Sequence, residues 1–430
     1  MLILMILLLL TSCRENREVG ENVYDAVIVG GGMAGLSAAY HLKSEIGKKA
    51  KILILEKEDR LGGRIMTKKY NKDIYELGAF FDYGSSYAPK GFEASELIKQ
   101  GENHGCFING NLYSSKTVAG LLRKIHPMDG RFFNEFDEDR DLDKLFASVS
   151  DDVKKAMVSS FKVIHFGEIK DYVNERKEDL FKTYNWDSRE KGNYEFLENY
   201  KDFLVGYYLT GAEVKSVENR NGLIVVKYNK DSSAEEIQAK SVIVATPATS
   251  ALKIIKNMKE KSEKFIKSVK YTKTAVVIFI TKRPGPIDFS YILTPDKSFN
   301  SIGIYRSPDG QHNTFAMYFT DSFVNAHDNW KNDNYIDAAY KDLQSMQIID
   351  LKSNLLHKDF YLWKEEGTII SEETYKNFSE EALNPLDGVF LAGDYTFWNH
   401  LKIPYGIPPA YFSGQSAAQK VLKYLHRTWD

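Results

Sequence analysis

The sequence predicts an α/β fold large enough for two domains, on three observations. A strand-like run, Tyr24-Asp-Ala-Val-Ile-Val29, leads at once into Gly30-Gly31-Gly32-Met33-Ala34-Gly35. A helix-like stretch follows, then a second apolar strand, Lys51-Ile-Leu-Ile-Leu55, that ends in Glu56. Strand-like apolar runs return far downstream, at Val242-Ile-Val244 and Val389-Phe-Leu391. The chain has 430 residues, 43% of them hydrophobic, enough for a large core and two domains.

Strand, G-x-G-x-x-G turn, helix, strand, acid is the order of a dinucleotide-binding unit. Gly30 permits the tight turn, Gly32 lets the backbone approach a pyrophosphate, and Gly35 lets the helix pack close to the strand. The helix start offers N–H groups and the positive end of its dipole to the phosphates. Glu56 can accept hydrogen bonds from the hydroxyls of an adenosine ribose. Glycine-rich turns are common, and the flanking strands and the acid are what make this one specific.

Formal net charge is −2, which gives no bulk electrostatic case for a nucleic-acid partner. Two cysteines exclude a disulfide framework, and Cys106 reads as a free interior thiol. The histidines are scattered and show no zinc-like spacing with cysteine, so no metal site is expected. Met1 to Leu10 is apolar and too short to span a bilayer as a helix, at about 15 Å. It fits the apolar region of a signal peptide. Leu10-Thr11-Ser12-Cys13 looks like a bacterial lipobox, which would make Cys13 a lipidation site and the protein a membrane-anchored lipoprotein on the periplasmic or extracytoplasmic side. No Lys or Arg precedes the apolar run, and a simple hydrophobic tail on a cytoplasmic protein is the alternative.

Beyond Glu56 comes Lys57-Glu58-Asp59-Arg60-Leu61-Gly62-Gly63-Arg64-Ile65-Met66-Thr67. With this R-x-G-G-R-x-x-T pattern the chain resembles the flavin-containing amine oxidase superfamily, which includes protoporphyrinogen oxidases and carotenoid desaturases. The resemblance implies an FAD-binding Rossmann-like domain of the glutathione-reductase type with an inserted α+β substrate domain. It places Gly63 beside the FAD pyrophosphate and Arg64 near the phosphates, where a planar, permanently charged fork suits an anion. Gly30, Gly31, Gly32, Met33, Ala34, Gly35, Glu56 and Lys57 would hold the adenosine and pyrophosphate end. Glu76-Leu-Gly78-Ala79-Phe-Phe81 resembles the segment along the flavin ring, which brings in Gly78 and Ala79. Ala212-Glu-Val214 to Val244 looks like the family's β-meander, where the backbone at Val214 meets the adenine. Val389-Phe-Leu-Ala-Gly393-Asp394 resembles the A-G-D motif, and Gly406-Ile407-Pro-Pro409 the start of the last helix, where Ile407 offers an N–H to the ring.

On this reading residues 1–23 are a signal or lipobox segment. Residues 24–90, 207–247 and 385–430 form the FAD-binding domain, and 91–206 with 248–384 the substrate-binding domain. The first insertion reads as mainly helical and carries an acidic run from Asp137 to Asp143, most simply a solvated helix start or loop. The second opens with a lysine-rich helical stretch, Lys253 to Lys270. Ala275-Val-Val-Ile-Phe-Ile280 reads as a central strand, and Thr314-Phe-Ala-Met-Tyr-Phe319 as a strand with one covered face. The last helix reads from Pro408 to Leu425, with small residues on one face.

The chemistry implied is hydride transfer from a substrate C–H bond to flavin N5, with O₂ or a quinone as final acceptor. The match to true amine oxidases fails in three places. Aligning Val269 to Pro284 with the strand that carries their lysine puts Val276 at its position, and Lys273 would point elsewhere. Gly406 stands where an aromatic residue often faces the amine, with Tyr405 one residue off. No cysteine follows Cys106, so the flavin is expected to be non-covalent. Tyr83, Trp363 and Tyr405 are candidates to face the substrate, a small amine or an apolar ring compound. A flavin-binding protein without turnover, a desaturase-like enzyme and an NAD-dependent dehydrogenase are the competing readings. Substituting Cys13 is expected to abolish labelling with a fatty-acid probe in cells; unchanged labelling removes the lipid anchor.

Overall fold

The computed structural model describes residues 23–47, 49–79, 87–92, 95–98, 101–127, 146–172, 188–283, 287–396 and 406–429. In chain order, β1 (Val23–Val29), α1 (Met33–Ile46) and β2 (Ile52–Leu55) are followed by a hairpin, β3 (Thr67–Tyr70) and β4 (Asp73–Glu76). Next come β5 (Asn103–Ile108), β6 (Asn111–Ser115), α2 (Asp151–His165) and α3 (Tyr194–Phe203). The chain continues through β7 (Tyr208–Leu209), the meander β8 (Ala212–Arg220), β9 (Leu223–Lys230) and β10 (Ser233–Val244), then α4 (Ala248–Ile254) and α5 (Glu260–Ser268). Strands β11 (Thr274–Lys282), β12 (Phe289–Leu293), β13 (Ser301–Arg306) and β14 (His312–Phe319) precede α6 (Asn332–Ser345) and β15 (Leu355–Trp363). β16 (Val389–Leu391) and α7 (Ile407–Trp429) end the described chain.

The first sheet runs β8-β9-β10-β1-β2-β7. β10 is its hub. It pairs antiparallel with β9 over its first half, parallel with β16 over its second, and parallel with β1 along the other edge. β1 and β2 are buried and rich in Val, Ile and Leu, as parallel strands covered on both faces must be. One face is covered by α1 and α7, which meet at close range. Ser37 Oγ donates to the Tyr411 carbonyl (2.7 Å), and a Cβ added to Gly414 would stand 2.1 Å from the Ala34 carbonyl oxygen. The small face expected of the last helix is thus the face that lies on α1.

The second sheet runs β15-β11-β14-β13-β12-β5-β6, antiparallel except where β12 meets β5. β11 lies between β14 and β15 and is buried along eight of its nine residues, as its unbroken apolar run predicts. The expectation of one covered face for 314–319 is corrected. Phe315, Met317 and Phe319 pack into a core that includes Tyr335, Ile336 and Leu343 of α6, while Ala316 and Tyr318 pack on the opposite side with Met157, Phe161 and Ile164 of α2. Helices distant in sequence cover both faces, which alternation alone cannot reveal.

The first insertion is mainly helical over its described residues, as expected, and also adds the strands β5 and β6 to the second sheet. Gly105 fits there because a Cβ would stand 2.9 Å from Ile292 Cγ1 of the neighbouring strand. Two further sequence expectations are corrected. Leu197, Tyr200 and Leu204 bury in the core of the first layer beside Leu61 and Tyr40, so α3 packs with the first sheet and not the second. The lysine-rich stretch is two helices, interrupted where Asn257 takes a left-handed φ of 55°. Their apolar residues Ala251, Ile254, Phe265 and Ile266 pack on the meander with Val217 and Val226. These helices therefore extend the first layer past residue 247. The acidic run 137–143 lies outside the described residues.

Gly414→Ala is expected to force α1 and α7 apart and to cost about 1–3 kcal/mol, as overpacking of a tight contact does. Chemical unfolding of the full chain measures it. An unchanged midpoint removes this contact as a constraint on the layer.

Candidate active site

At the end of β1 the chain turns through Gly30, whose φ of 104° is open to glycine and strained for other residues. A Cβ on Gly35 would stand 2.0 Å from the Gly30 carbonyl oxygen, so the first turn of α1 closes directly over the strand end. Gly31 N–H donates to Glu56 Oε2 (2.6 Å), and Glu58 N–H donates to Glu56 Oε1 (2.8 Å). Glu56 is buried, and its backbone carbonyl accepts from Ala212 N–H (2.7 Å) at the start of the meander. No side chain caps α1, whose N-cap is Gly32. Its first N–H groups are therefore left for a ligand.

The glycine pair of the next loop lies against this turn. Gly62 N–H donates to the Gly31 carbonyl (2.8 Å), and a Cβ on Gly32 would find Gly63 Cα at 3.8 Å and nothing nearer. Arg60 braces the loop, donating from Nη2 to the Gly63 carbonyl (2.7 Å) and from Nη1 to the Ile65 carbonyl (3.0 Å). Arg64 Nη2 is 2.8 Å from Asp394 Oδ2, and Nη1 donates to the Glu366 carbonyl. Asp394 is delivered by β16 through Gly393 (φ 142°), whose N–H donates to Ser413 Oγ of α7 (2.9 Å). On the other side Ala79 N–H donates to the Arg64 carbonyl (2.9 Å). Gly78 is required there, since a Cβ would stand 1.9 Å from the Arg64 carbonyl oxygen.

These segments enclose a cleft of about 1470 Å³, above the ~300–1,000 Å³ usual for a small-molecule pocket. One end is bounded by Glu56, Lys57 and Val214, the middle by Gly32, Gly63, Arg64 and Asp394, and the other end by Met66, Ala79, Ile164, Phe166, Tyr361, Trp363 and Ile407. Lys253, Lys364, Glu365 and Glu366 add to the charged lining, while Met66, Ile164, Phe166, Tyr361 and Trp363 belong to one apolar cluster. Trp363 Nε1 donates to the Leu77 carbonyl (2.6 Å), and its ring lies 4.4 Å from that of Tyr361. Both rings are therefore fixed before any ligand arrives. Lys273 does not reach this end: its ammonium donates to Asn325 Oδ1 (2.6 Å) at the surface. Val276 is buried in the same apolar cluster and pairs with Tyr361 of β15. Cys106 is a free, buried cysteine, and burial pushes its thiol up to about 12.

The residues fit FAD. A side chain at Gly32 would project into the very gap where a pyrophosphate must cross, and that gap is walled by backbone N–H groups and one arginine. Gly30, Gly32, Met33, Ala34, Glu56, Lys57, Gly63, Arg64, Ala79, Val214, Gly393, Asp394, Ile407 and Trp363 all line the cleft. Gly31, Gly35 and Gly78 lie just behind it and set the backbone geometry. Cys13, Tyr83 and Tyr405 lie outside the described residues. Sequence reasoning missed Arg60, although the motif carries it, and it missed Glu366, which lines the cleft and is buried. No local pattern marked Glu366; its neighbours are supplied by other segments.

Comparison with known proteins agrees with this geometry. A profile described as "NAD(P)-binding Rossmann-like domain" matches residues 28–99, and one described as "Flavin containing amine oxidoreductase" matches residues 140–422. Among curated proteins, polyamine oxidase 1 of Oryza sativa subsp. japonica is 34% identical over 117 residues, 23% of this chain and 23% of the relative. Prenylcysteine oxidase 1 of Homo sapiens is 33% identical over 96 residues, 22% of this chain and 18% of the relative. The matched segments thus span under a quarter of either relative's length. Among solved structures, cyclohexylamine oxidase from Brevibacterium oxydans superposes with a TM-score of 0.73 over 94% of this chain and 100% of its own, at 14% identity. Putrescine oxidase bound to putrescine does so with a TM-score of 0.69 over 93% and 99%, at 13% identity. At such identities the likeness is one of fold.

Glu56→Ala and Arg64→Ala are each expected to lower the FAD content of the purified protein several-fold while leaving its circular dichroism unchanged. Full flavin absorbance in both variants removes these roles.

Proposed function

The chain belongs to the flavin containing amine oxidoreductase family, and from that premise we propose that it oxidises a bulky, apolar small molecule, with FAD as its non-covalent cofactor. The observation that carries the substrate class is the far end of the cleft. Among the described residues it is lined by Met66, Ile164, Phe166, Tyr361 and Trp363, and Lys273 is bonded away from it. A cationic amine would lose its hydration there without gaining a described charged partner.

The chemistry that FAD supplies when bound is acceptance of a hydride at N5 from a substrate C–H bond. The protein holds and shields. Gly32, Gly63, Arg64 and the start of α1 would take the pyrophosphate, and Glu56 would take the ribose hydroxyls. Trp363, fixed by its bond to the Leu77 carbonyl, forms a rigid wall against which an apolar substrate packs. An apolar substrate packed against Phe166 and Trp363 would be held in a limited range of positions with water excluded. No side-chain nucleophile is required. O₂ or a quinone would be the final acceptor. Attachment to a membrane through a lipidated Cys13 suits an apolar substrate drawn from the bilayer.

Anaerobic mixing of the purified flavoprotein with a panel of primary amines, polyamines and hydrophobic polycyclic compounds tests this reading. Loss of the flavin absorbance with the polycyclic compounds, and not with the amines, is the expected result. Reduction by amines alone overturns the substrate class. Indifference to the whole panel favours a binding protein without turnover.

A further inference from the structure

We propose that Glu366 is a cofactor-binding residue that engages FAD as a neutral acid, donating its carboxyl O–H to a phosphate oxygen beside Arg64. Glu366 follows the strand that carries Trp363 and is 9% exposed. Its backbone is fully used: the N–H donates to the Thr272 carbonyl (2.8 Å) and the carbonyl accepts from Arg64. Its carboxyl is not. Among the described residues Glu366 Oε2 is buried without a hydrogen-bond partner, although the residue lines the cleft. A buried, unpaired carboxyl oxygen is costly, and a ligand that completes it removes that cost.

The charges around it decide its protonation. Arg64 lies on one side, already 2.8 Å from Asp394. Tyr271 and Tyr318 also face this cluster, and burial first of all holds both phenols far above their ordinary range, so they stay neutral. Glu365 accepts from the Thr249 hydroxyl, and Lys253 and Lys364 line the cleft nearby. Burial pushes the Glu366 carboxyl up, Arg64 pulls it down and Asp394 pushes it up again, leaving it at about 7. A pyrophosphate brings two further negative charges to Arg64. An ionised Glu366 would repel them; a protonated one removes the repulsion and supplies a donor. Where the carboxyl is ionised before binding, the proton comes from solvent, up to one for each FAD bound, and no bond or redox state changes.

The sign follows. Below about pH 7 Glu366 already carries the proton in the FAD-free protein, so affinity does not change through this group. Above it, binding must draw a proton in, and affinity falls towards tenfold per pH unit. The test uses full-length protein freed of flavin, with binding read by quenching of FAD fluorescence and by calorimetry in two buffers of different ionisation heat. For the wild type the expected result is a Kd that is flat below about pH 7 and rises above it, with close to one proton taken up near pH 8. Glu366→Gln, the isosteric stand-in for the neutral acid, is expected to keep the low-pH affinity across the range and to take up almost none. Proton uptake absent from the wild type overturns the proposal whatever the variant does. So does equal uptake in Glu366→Gln, or a loss of affinity in it that is the same at every pH, which is what a merely structural role predicts.

Discussion

The buried carboxylate of Glu56 accepts two backbone N–H groups from different segments, Gly31 in the turn after β1 and Glu58 in the loop after β2. Its own carbonyl receives Ala212 at the start of the meander. One residue thus locks three stretches of chain that converge only in the folded protein. Charge-assisted hydrogen bonds of this kind are stronger than neutral ones and are strengthened further by burial. Each carboxylate oxygen accepts one backbone N–H and keeps a further lone pair, so the lock that shapes the site also leaves acceptor capacity for a ribose.

Absence of side chains does as much as their presence. Gly31 and Gly62 touch through a backbone hydrogen bond, and Gly32 faces Gly63 across a gap that a Cβ would occupy. Around this bare floor stand groups that fix position: Arg60 bracing the second loop, Ser413 holding Gly393, Trp363 tied to Leu77. The site is therefore built before its cofactor arrives, which lowers the ordering cost of binding.

The two sheets contribute different things. The first, parallel at its centre, brings strand ends and a helix start to one edge, where α/β layers bind their ligands. The second, with both faces covered, is a rigid slab whose edge strand β15 carries Tyr361 and Trp363 to the far end of the cleft. Arg64, Glu366 and Asp394 come from three segments more than three hundred residues apart at their extremes, and their meeting joins the two units. A like pair of buried carboxyls beside a single guanidinium leaves one of them the natural site for a proton.

What the sequence by itself determined is local. The turn from Gly30 to Gly35, the acid at a strand end, the Arg60–Arg64 loop and the Gly393-Asp394 pair were legible because each depends on residue types at fixed short spacing, and the cofactor follows from them. The all-apolar run of β11 was legible for the same reason. Tertiary structure decided the rest. Covered faces of β14, the strand β5 paired with a partner nearly two hundred residues away, and α3, α4 and α5 packed on the first layer all depend on what lies opposite, which periodicity does not encode. Glu366 is the clearest case. In the sequence it is one acid of an ordinary pair, and only burial next to Arg64 and Asp394 gives it an unusual proton affinity, because the desolvation and the neighbouring charges that set it belong to the fold.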